Sequence, residues 1–123
     1  MTDTTTRTPD PDCLFCKIVG GEIKADVVHE TRTTVAFRDI EPQAPTHVLV
    51  IPRAHHANAA ALAAAEPQVL VDLVDAAAAV AKAEGIDDDG YRLVLNTGAS
   101  AHQTVFHAHL HVLGGRAMTW PPG

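Results

Sequence analysis

His107-Ala108-His109-Leu110-His111-Val112-Leu113 is the stretch that decides the fold. Histidines and apolar residues alternate along it, which is the period of a β-strand, because successive side chains of a strand point to opposite faces. The three imidazoles therefore share one face of the predicted strand, and the apolar side chains share the other. On a helix the same histidines would be spread around the cylinder. The pattern predicts a row of imidazoles backed by an apolar face that packs on a core.

A row of histidines is compatible with several roles. Imidazole titrates near neutral pH and serves as a nucleophile, a general acid or base, a hydrogen-bond donor or a metal ligand. The row is also compatible with nothing more than the polar face of an amphipathic strand. The flanking segments decide between these roles. They are Asn96-Thr97-Gly98 and Gln103-Thr104 before the row, and Gly114-Gly115-Arg116 and Trp120-Pro121-Pro122-Gly123 after it.

Together these segments resemble the histidine triad superfamily, in particular its Hint branch, and the resemblance covers residues 13–123 as one domain. It implies an α+β fold, in which a five-stranded antiparallel sheet carries one long helix and one or two short helices and continues across a homodimer. It implies a hydrolase that cleaves the P–N bond of purine nucleoside 5′-phosphoramidates. The alternatives are a dinucleoside polyphosphate hydrolase or nucleotidyl transferase, a non-catalytic nucleotide-binding module, and a hydrolase that uses the triad as a metal centre.

The composition limits the remaining possibilities. The chain has 123 residues, enough for one domain with one core. A formal net charge of −6 argues against general nucleic-acid binding, which needs a basic surface, but not against a small nucleotide. No apolar run approaches the length of a membrane span, and residues 1–12 lack the apolar segment of a secretory signal. We expect a disordered polar tail over residues 1–12 and a cytoplasmic protein.

Local patterns predict the other elements of the fold. Segments 27–30, 34–39, 47–52 and 91–96 are typical of strands, and the nearly all-apolar segment 47–52 predicts a central strand. Apolar residues at helical spacing predict a long helix from Pro67 to about Gly85. Shorter helical turns are expected over residues 17–23 and 58–65. This order favours an α+β domain with helices on one side of an antiparallel sheet.

Both cysteines of the chain lie in the segment Cys13-Leu14-Phe15-Cys16. In a reducing compartment such a pair more often binds metal or carries redox chemistry than forms a disulfide, although two buried apolar side chains are an alternative. One pair supplies only half of a zinc site. The resemblance implies that Cys13, Cys16, His55 and His107 hold a structural zinc ion that the chemistry itself does not require, with His56 as a competing ligand.

The resemblance also implies catalytic roles near the row. His109, between two imidazoles, attacks the α-phosphorus of a nucleotide and forms a nucleotidyl-histidine that water releases. His111 in its charged form offsets charge that develops at phosphorus. Gln103 and Thr104 donate hydrogen bonds to phosphate oxygens or to the leaving group. His47 either supports the row by hydrogen bonding or is a satisfied core histidine.

The nucleotide itself is assigned a set of contacts by the same resemblance. The Asp39 carboxylate accepts two hydrogen bonds from the ribose hydroxyls, or else it caps its turn. Asn96 lies near the phosphate and ribose. The chain departs from the family pattern at His102, where a small residue is expected. The apolar walls of the base pocket are Leu14, Phe15, Ile18, Phe37 and Ile40.

Overall fold

A computed structural model describes residues 10–123, so most of the predicted polar tail lies outside the described residues. The sheet has the order β1-β2-β3-β5-β4, and all neighbouring strands are antiparallel. The predicted α+β architecture, with one long and two short helices, is confirmed. The strands are β1 (Val27–Glu30), β2 (Thr34–Arg38), β3 (Thr46–Pro52), β4 (Tyr91–Val94) and β5 (Leu110–Gly114). The helices are α1 (Leu14–Val19), α2 (Ala59–Ala65) and α3 (Pro67–Ala83), with a short 3₁₀ turn at Ala99–Ala101.

Two apolar clusters cover the two faces of the sheet. Because side chains alternate along a strand, Val48 and Val50 of β3 join the cluster that includes helix α3. Leu49 and Ile51 join the other cluster, which includes helix α1. All seven residues of β3 are buried, which confirms the prediction of a central strand covered on both faces.

Local residues determine where helix α1 begins and where helix α3 begins and ends. Helix α1 begins earlier than the turn predicted over residues 17–23, because the Cys13 thiol accepts a hydrogen bond from the Cys16 amide and caps the helix. Helix α3 begins at Pro67 and is followed by Gly85 with φ +73°, a left-handed conformation that favours glycine. No helix within residues 10–123 has the length and apolarity needed to cross a bilayer.

The histidine-rich stretch departs from the predicted strand at its beginning. Strand β5 starts at Leu110 rather than at His107, because its ladder with β3 ends at the Val50–Leu110 pair. Before that pair the Ala108 amide donates to the carbonyl of His56 at 2.7 Å, in the loop that follows β3. Alternation persists through this irregular segment, since Ala108, Leu110 and Val112 are buried in the cluster with α3. The three imidazoles are therefore directed to the opposite face, where Phe15 packs edge-on against His107 and His109.

Candidate functional site

A cavity of about 970 Å³ opens on the histidine side of the sheet. His109, His111, Asp39 and Thr104 supply polar groups to its lining. A nucleobase needs apolar surface and a phosphate needs donors, and this cavity has both kinds of lining. Five predicted apolar wall residues line it as well: Leu14, Phe15, Ile18, Phe37 and Ile40.

His109 presents one nitrogen with a free lone pair. Its Nδ1 lies 2.7 Å from the carbonyl oxygen of His107. Because a carbonyl only accepts, Nδ1 carries the ring proton and Nε2 is left unprotonated. Burial lowers the pKa of His109, so the neutral ring is favoured. A buried, neutral imidazole with one lone pair available is the form that acts as a nucleophile.

His47 and His111 form a hydrogen-bonded pair that we call the histidine relay. The Gln43 amide donates to His47 Nδ1 at 3.0 Å, so the proton of His47 lies on Nε2. His47 Nε2 lies 2.9 Å from His111 Nδ1, which therefore accepts, and the proton of His111 lies on its own Nε2. His111 thus has an N–H group that is not used within the pair.

Burial determines the electrostatics of the relay. Burial, together with the neighbouring His109 and His47, lowers the pKa of His111 to about 4. Burial also lowers the pKa of His47, although the nearby Asp39 carboxylate opposes that shift. Near pH 7 His111 of the free protein is therefore neutral and presents an N–H donor. The role that the resemblance implies for its charged form during the reaction remains a prediction.

Asp39 serves its own turn and also lines the cavity. Its Oδ1 accepts the Glu41 amide at 2.8 Å, which is the turn-capping contact considered from the sequence. Its Oδ2 lies 3.5 Å from His47 Nε2. A carboxylate has about four lone-pair sites, so these contacts leave acceptor capacity for a diol.

Four side chains form a second group, which we call the metal cluster: Cys13, Cys16, His55 and His107. Their ligand atoms all lie within 4.8 Å of one another. The Cys16 Sγ is 3.3 Å from His55 Nδ1, and the two Nδ1 atoms of His55 and His107 are 3.2 Å apart. A tetrahedral zinc ion with bonds of about 2.3 Å to sulfur and about 2.0–2.1 Å to nitrogen would separate neighbouring donors by about 3.3–3.8 Å. The cluster fits such an ion.

The proton position on His107 suits a metal ion. His107 Nε2 lies 2.9 Å from the Pro52 carbonyl, so Nε2 carries the proton and Nδ1 presents its lone pair to the two thiols. Burial raises the pKa of the Cys16 thiol to about 11, so metal binding would have to displace its proton. His56, the competing ligand, is turned away and lies 2.7 Å from Glu66.

A second set of possible ligands, Asp39, His47 and His111, also lies close together. Here the protonation argues against a metal ion. The Gln43 amide occupies His47 Nδ1, so the Nε2 that would have to bind the ion carries a proton instead. Only His111 of the triad belongs to this set, which would lack a ligand at His47, so the metal cluster is the better site for a metal ion.

Besides His47, which contacts the lining residue His111, two predicted catalytic or nucleotide-binding residues lie away from the cavity lining. Gln103 is buried, and its amide nitrogen donates to the carbonyls of Ala57 and Val105 while its oxygen accepts the Gly98 amide. Asn96 is half-buried and is not part of the lining. The roles implied for both remain predictions.

Sequence reasoning missed several contributors to the site, among them Gln43 and Leu49. Gln43 acts through its backbone amide, which no side-chain pattern reveals. Leu49 lines the cavity from β3, and the near-continuous apolar run of that strand conceals which residues face a ligand.

The chain is similar to known proteins in both sequence and structure. The family model described as HIT domain matches residues 20–118. The 14 kDa zinc-binding protein of Zea mays is 48% identical over 120 residues, which cover 95% of this chain and 92% of that protein. The purine nucleoside phosphoramidase of Escherichia coli K12 is 43% identical over 107 residues, 87% of this chain and 90% of that protein. The crystal structure of a HIT family hydrolase from Legionella pneumophila Philadelphia 1 has a TM-score of 0.87 at 51% identity, covering 91% of this chain and 100% of that one.

Proposed function

Because the chain belongs to the HIT domain family, we propose that it hydrolyses the P–N bond of purine nucleoside 5′-phosphoramidates. One observation carries the proposal: the hydrogen bond from His109 Nδ1 to the His107 carbonyl leaves Nε2 as a lone pair on a cavity-lining imidazole. The likeness to a purine nucleoside phosphoramidase gives the substrate class.

The reaction proceeds in two displacements at the α-phosphorus. His109 Nε2 donates its lone pair to phosphorus, the P–N bond breaks, and the amine leaves with a proton gained from a neighbouring donor. Water then attacks phosphorus and gives a proton back to the group that protonated the amine, the bond from Nε2 breaks, and the nucleoside monophosphate is released. Positive charge on the modified ring is stabilised through Nδ1–H and the His107 carbonyl.

Donors around the phosphate stabilise its developing charge. His111 Nε2–H points from the relay to a phosphate oxygen, and the Thr104 hydroxyl, exposed at the cavity, donates to a second oxygen or to the leaving amine. Asp39 accepts the ribose hydroxyls with its remaining lone pairs. The apolar walls hold the purine.

The metal cluster is a structural zinc site. Cys13, Cys16, His55 and His107 provide the complete tetrahedral shell, and the chain is similar to a protein named for zinc binding. Bound zinc supplies a fixed cross-link between the N-terminal segment and the histidine row. His107 then holds both the ion and, through its carbonyl, the His109 ring.

The direct experiment is turnover of adenosine 5′-phosphoramidate by the full chain, with and without a chelator. Turnover that survives brief chelation and disappears in His109→Ala supports the proposal, and a trapped nucleotide adduct on His109 would establish the intermediate. His102→Ala is the matched control, because His102 is an exposed histidine of the preceding loop. Nucleotide binding without turnover would favour the non-catalytic module. Faster cleavage of a dinucleoside polyphosphate would favour the transferase alternative.

We also propose that the protein is a homodimer, as the family resemblance implies. Large apolar side chains are exposed on helix α3, at Val71 and Val74, and near the edge strand β4, at Leu93 and Leu95. Exposed large apolar side chains of this kind are typical of a subunit interface. Sedimentation equilibrium of the wild type and of Val74→Asp tests this, and a wild-type monomer at micromolar concentration would refute it.

A further inference from the structure

The Gly114-Gly115-Arg116 segment has no role in the reaction described so far, yet it returns the chain to the active-site loop. Gly115 has φ +88°, and a Cβ there would lie 2.9 Å from the Pro45 side chain, so only glycine allows this close approach. The turn places the Arg116 guanidinium on the carbonyl of Gln43, with Nε and Nη2 each 3.1 Å from that oxygen.

The loop that Arg116 holds is also tied to Asp39, which lines the cavity, and to His47 of the relay. The Glu41 amide donates to Asp39 Oδ1 at 2.8 Å, and the Gln43 side chain donates to the Glu41 carbonyl at 2.9 Å. The Gln43 backbone amide donates to His47 Nδ1 at 3.0 Å. Gln43 is therefore the residue through which a guanidinium on the C-terminal segment reaches the relay.

We propose that Arg116 is a positioning residue for the hydrolysis: by fixing the Gln43 backbone it keeps the protons of His47 and His111 on their Nε2 atoms. This inference rests on the proposed function for its kinetic consequence, but not for its structural one. The two contacts to the Gln43 carbonyl restrict movement of that residue, and therefore limit how far its amide, on the other side of Cα, can move from His47.

The proton arrangement matters because the relay has only two self-consistent states. With the Gln43 amide in place, His47 donates to His111 Nδ1 and His111 presents Nε2–H to phosphate. If that amide drifts away, His47 can carry its proton on Nδ1. His111 must then donate through Nδ1, and its Nε2 presents a lone pair to the phosphate oxygens. Only the first state can donate a hydrogen bond to the phosphate oxygen on which charge develops as His109 attacks, so the second state slows the displacement step.

The test compares Arg116→Met and Arg116→Lys with Arg92→Met. Arg92 is a matched control, because its guanidinium also donates to a backbone carbonyl, that of Thr119, and it touches no part of the relay. The primary readout is the ¹⁵N spectrum of the imidazoles, which distinguishes protonated from unprotonated ring nitrogens. In the wild type and in Arg92→Met, we expect unprotonated Nδ1 atoms on His47 and His111.

In Arg116→Met we expect a mixture of the two proton arrangements. In Arg116→Lys, which keeps the charge but not the paired N–H donors of the guanidinium, we expect a smaller fraction of the second arrangement. The kcat for adenosine 5′-phosphoramidate should fall about three- to thirtyfold in Arg116→Met, with KM changed by less than about twofold. Unchanged ring protonation in Arg116→Met overturns the inference, as does an equal loss of kcat in Arg92→Met. If the wild type turns over no phosphoramidate, the proposed function fails, and the ¹⁵N spectra alone decide the role of Arg116.

Discussion

The metal cluster and the histidine relay each take one histidine from the same short stretch of chain, His107 for the cluster and His111 for the relay. The two groups nevertheless suit opposite chemistry. His107 donates its Nε2 proton to the Pro52 carbonyl and directs an unprotonated Nδ1 at two thiols. His47 accepts the Gln43 amide at Nδ1 and directs a protonated Nε2 at His111. The first arrangement offers a lone pair to a cation, and the second offers protons to an anion.

This difference originates in the backbone partner rather than in the imidazole. A carbonyl forces the proton onto the nitrogen it contacts, and an amide N–H forces the proton onto the other nitrogen. His109 also contacts a carbonyl, but through the other ring nitrogen. Its Nδ1 faces the His107 carbonyl and carries the proton, so its Nε2 is left unprotonated. Residue type alone therefore does not separate a ligand from a donor or a nucleophile.

The largest expected effect is on zinc content, which should be lost when the metal cluster is mutated and kept when the relay is mutated. We expect His107→Ala to lose its zinc and to reduce the free energy of unfolding by at least about 3 kcal/mol, because the ion binds only the folded chain. We expect His111→Ala to keep about one zinc ion per chain. Elemental analysis of purified protein and denaturant unfolding measure both quantities. Zinc retained in His107→Ala and lost in His111→Ala would reverse the comparison.

The next effect tests whether His47 donates the hydrogen bond that joins it to His111. Gln carries an amide N–H₂ at about the position of His47 Nε2, so His47→Gln keeps a donor to His111 Nδ1, whereas His47→Ala removes it. We expect kcat for adenosine 5′-phosphoramidate to fall about 10- to 100-fold in His47→Ala and clearly less in His47→Gln. Steady-state kinetics measure the ratio. Equal losses in the two variants would mean that the donated proton is not what His47 contributes.

The alternation of the histidine row could be predicted from sequence, because side chains keep a two-residue period even where a strand has not yet begun. The start of β5 could not, since the partners of His107 and Ala108 are the carbonyls of Pro52, at the end of β3, and His56, in the loop that follows, both far away in sequence. Strand pairing depends on where the neighbouring strand ends, which local patterns do not encode.

The site was predictable in its residue types and not in its protonation. The choice between His55 and His56 depends on a turn that directs one ring at the thiols and the other at Glu66. The relay depends on the backbone amide of Gln43, which any residue other than proline could provide. Such contacts become visible only when the chain has folded.

A smaller effect separates the relay from the metal cluster by titration. His111 has a pKa of about 4 in the folded protein and about 6.5 when unfolded, so between these values the unfolded chain binds more protons. Its contribution to stability is complete above about pH 6.5 and is lost as the pH falls toward 4. We expect His111→Gln to reduce the slope of unfolding free energy against pH in this window by up to about 1.4 kcal/mol per pH unit.

Unfolding by urea at several pH values measures that slope for the wild type and for His111→Gln. Both proteins keep the metal cluster, so the pH dependence of zinc binding cancels in the difference. An unchanged slope would mean that His111 is already protonated in the folded protein near pH 6, and the relay would then hold a cation.

The smallest effect concerns His102, a histidine that belongs to neither group. It is exposed and follows the 3₁₀ turn with φ +66°, a left-handed conformation that costs a residue with a Cβ atom but not glycine. We expect His102→Gly to stabilise the protein by about 0.5–1 kcal/mol, with zinc content and kcat unchanged. His102→Ala, which removes the imidazole and keeps Cβ, should give no such gain. If His102→Gly instead lowered kcat while His102→Ala did not, the rigidity of the loop before the row would matter to the relay, and the backbone partners of His47 and His111 would not be the whole of its support.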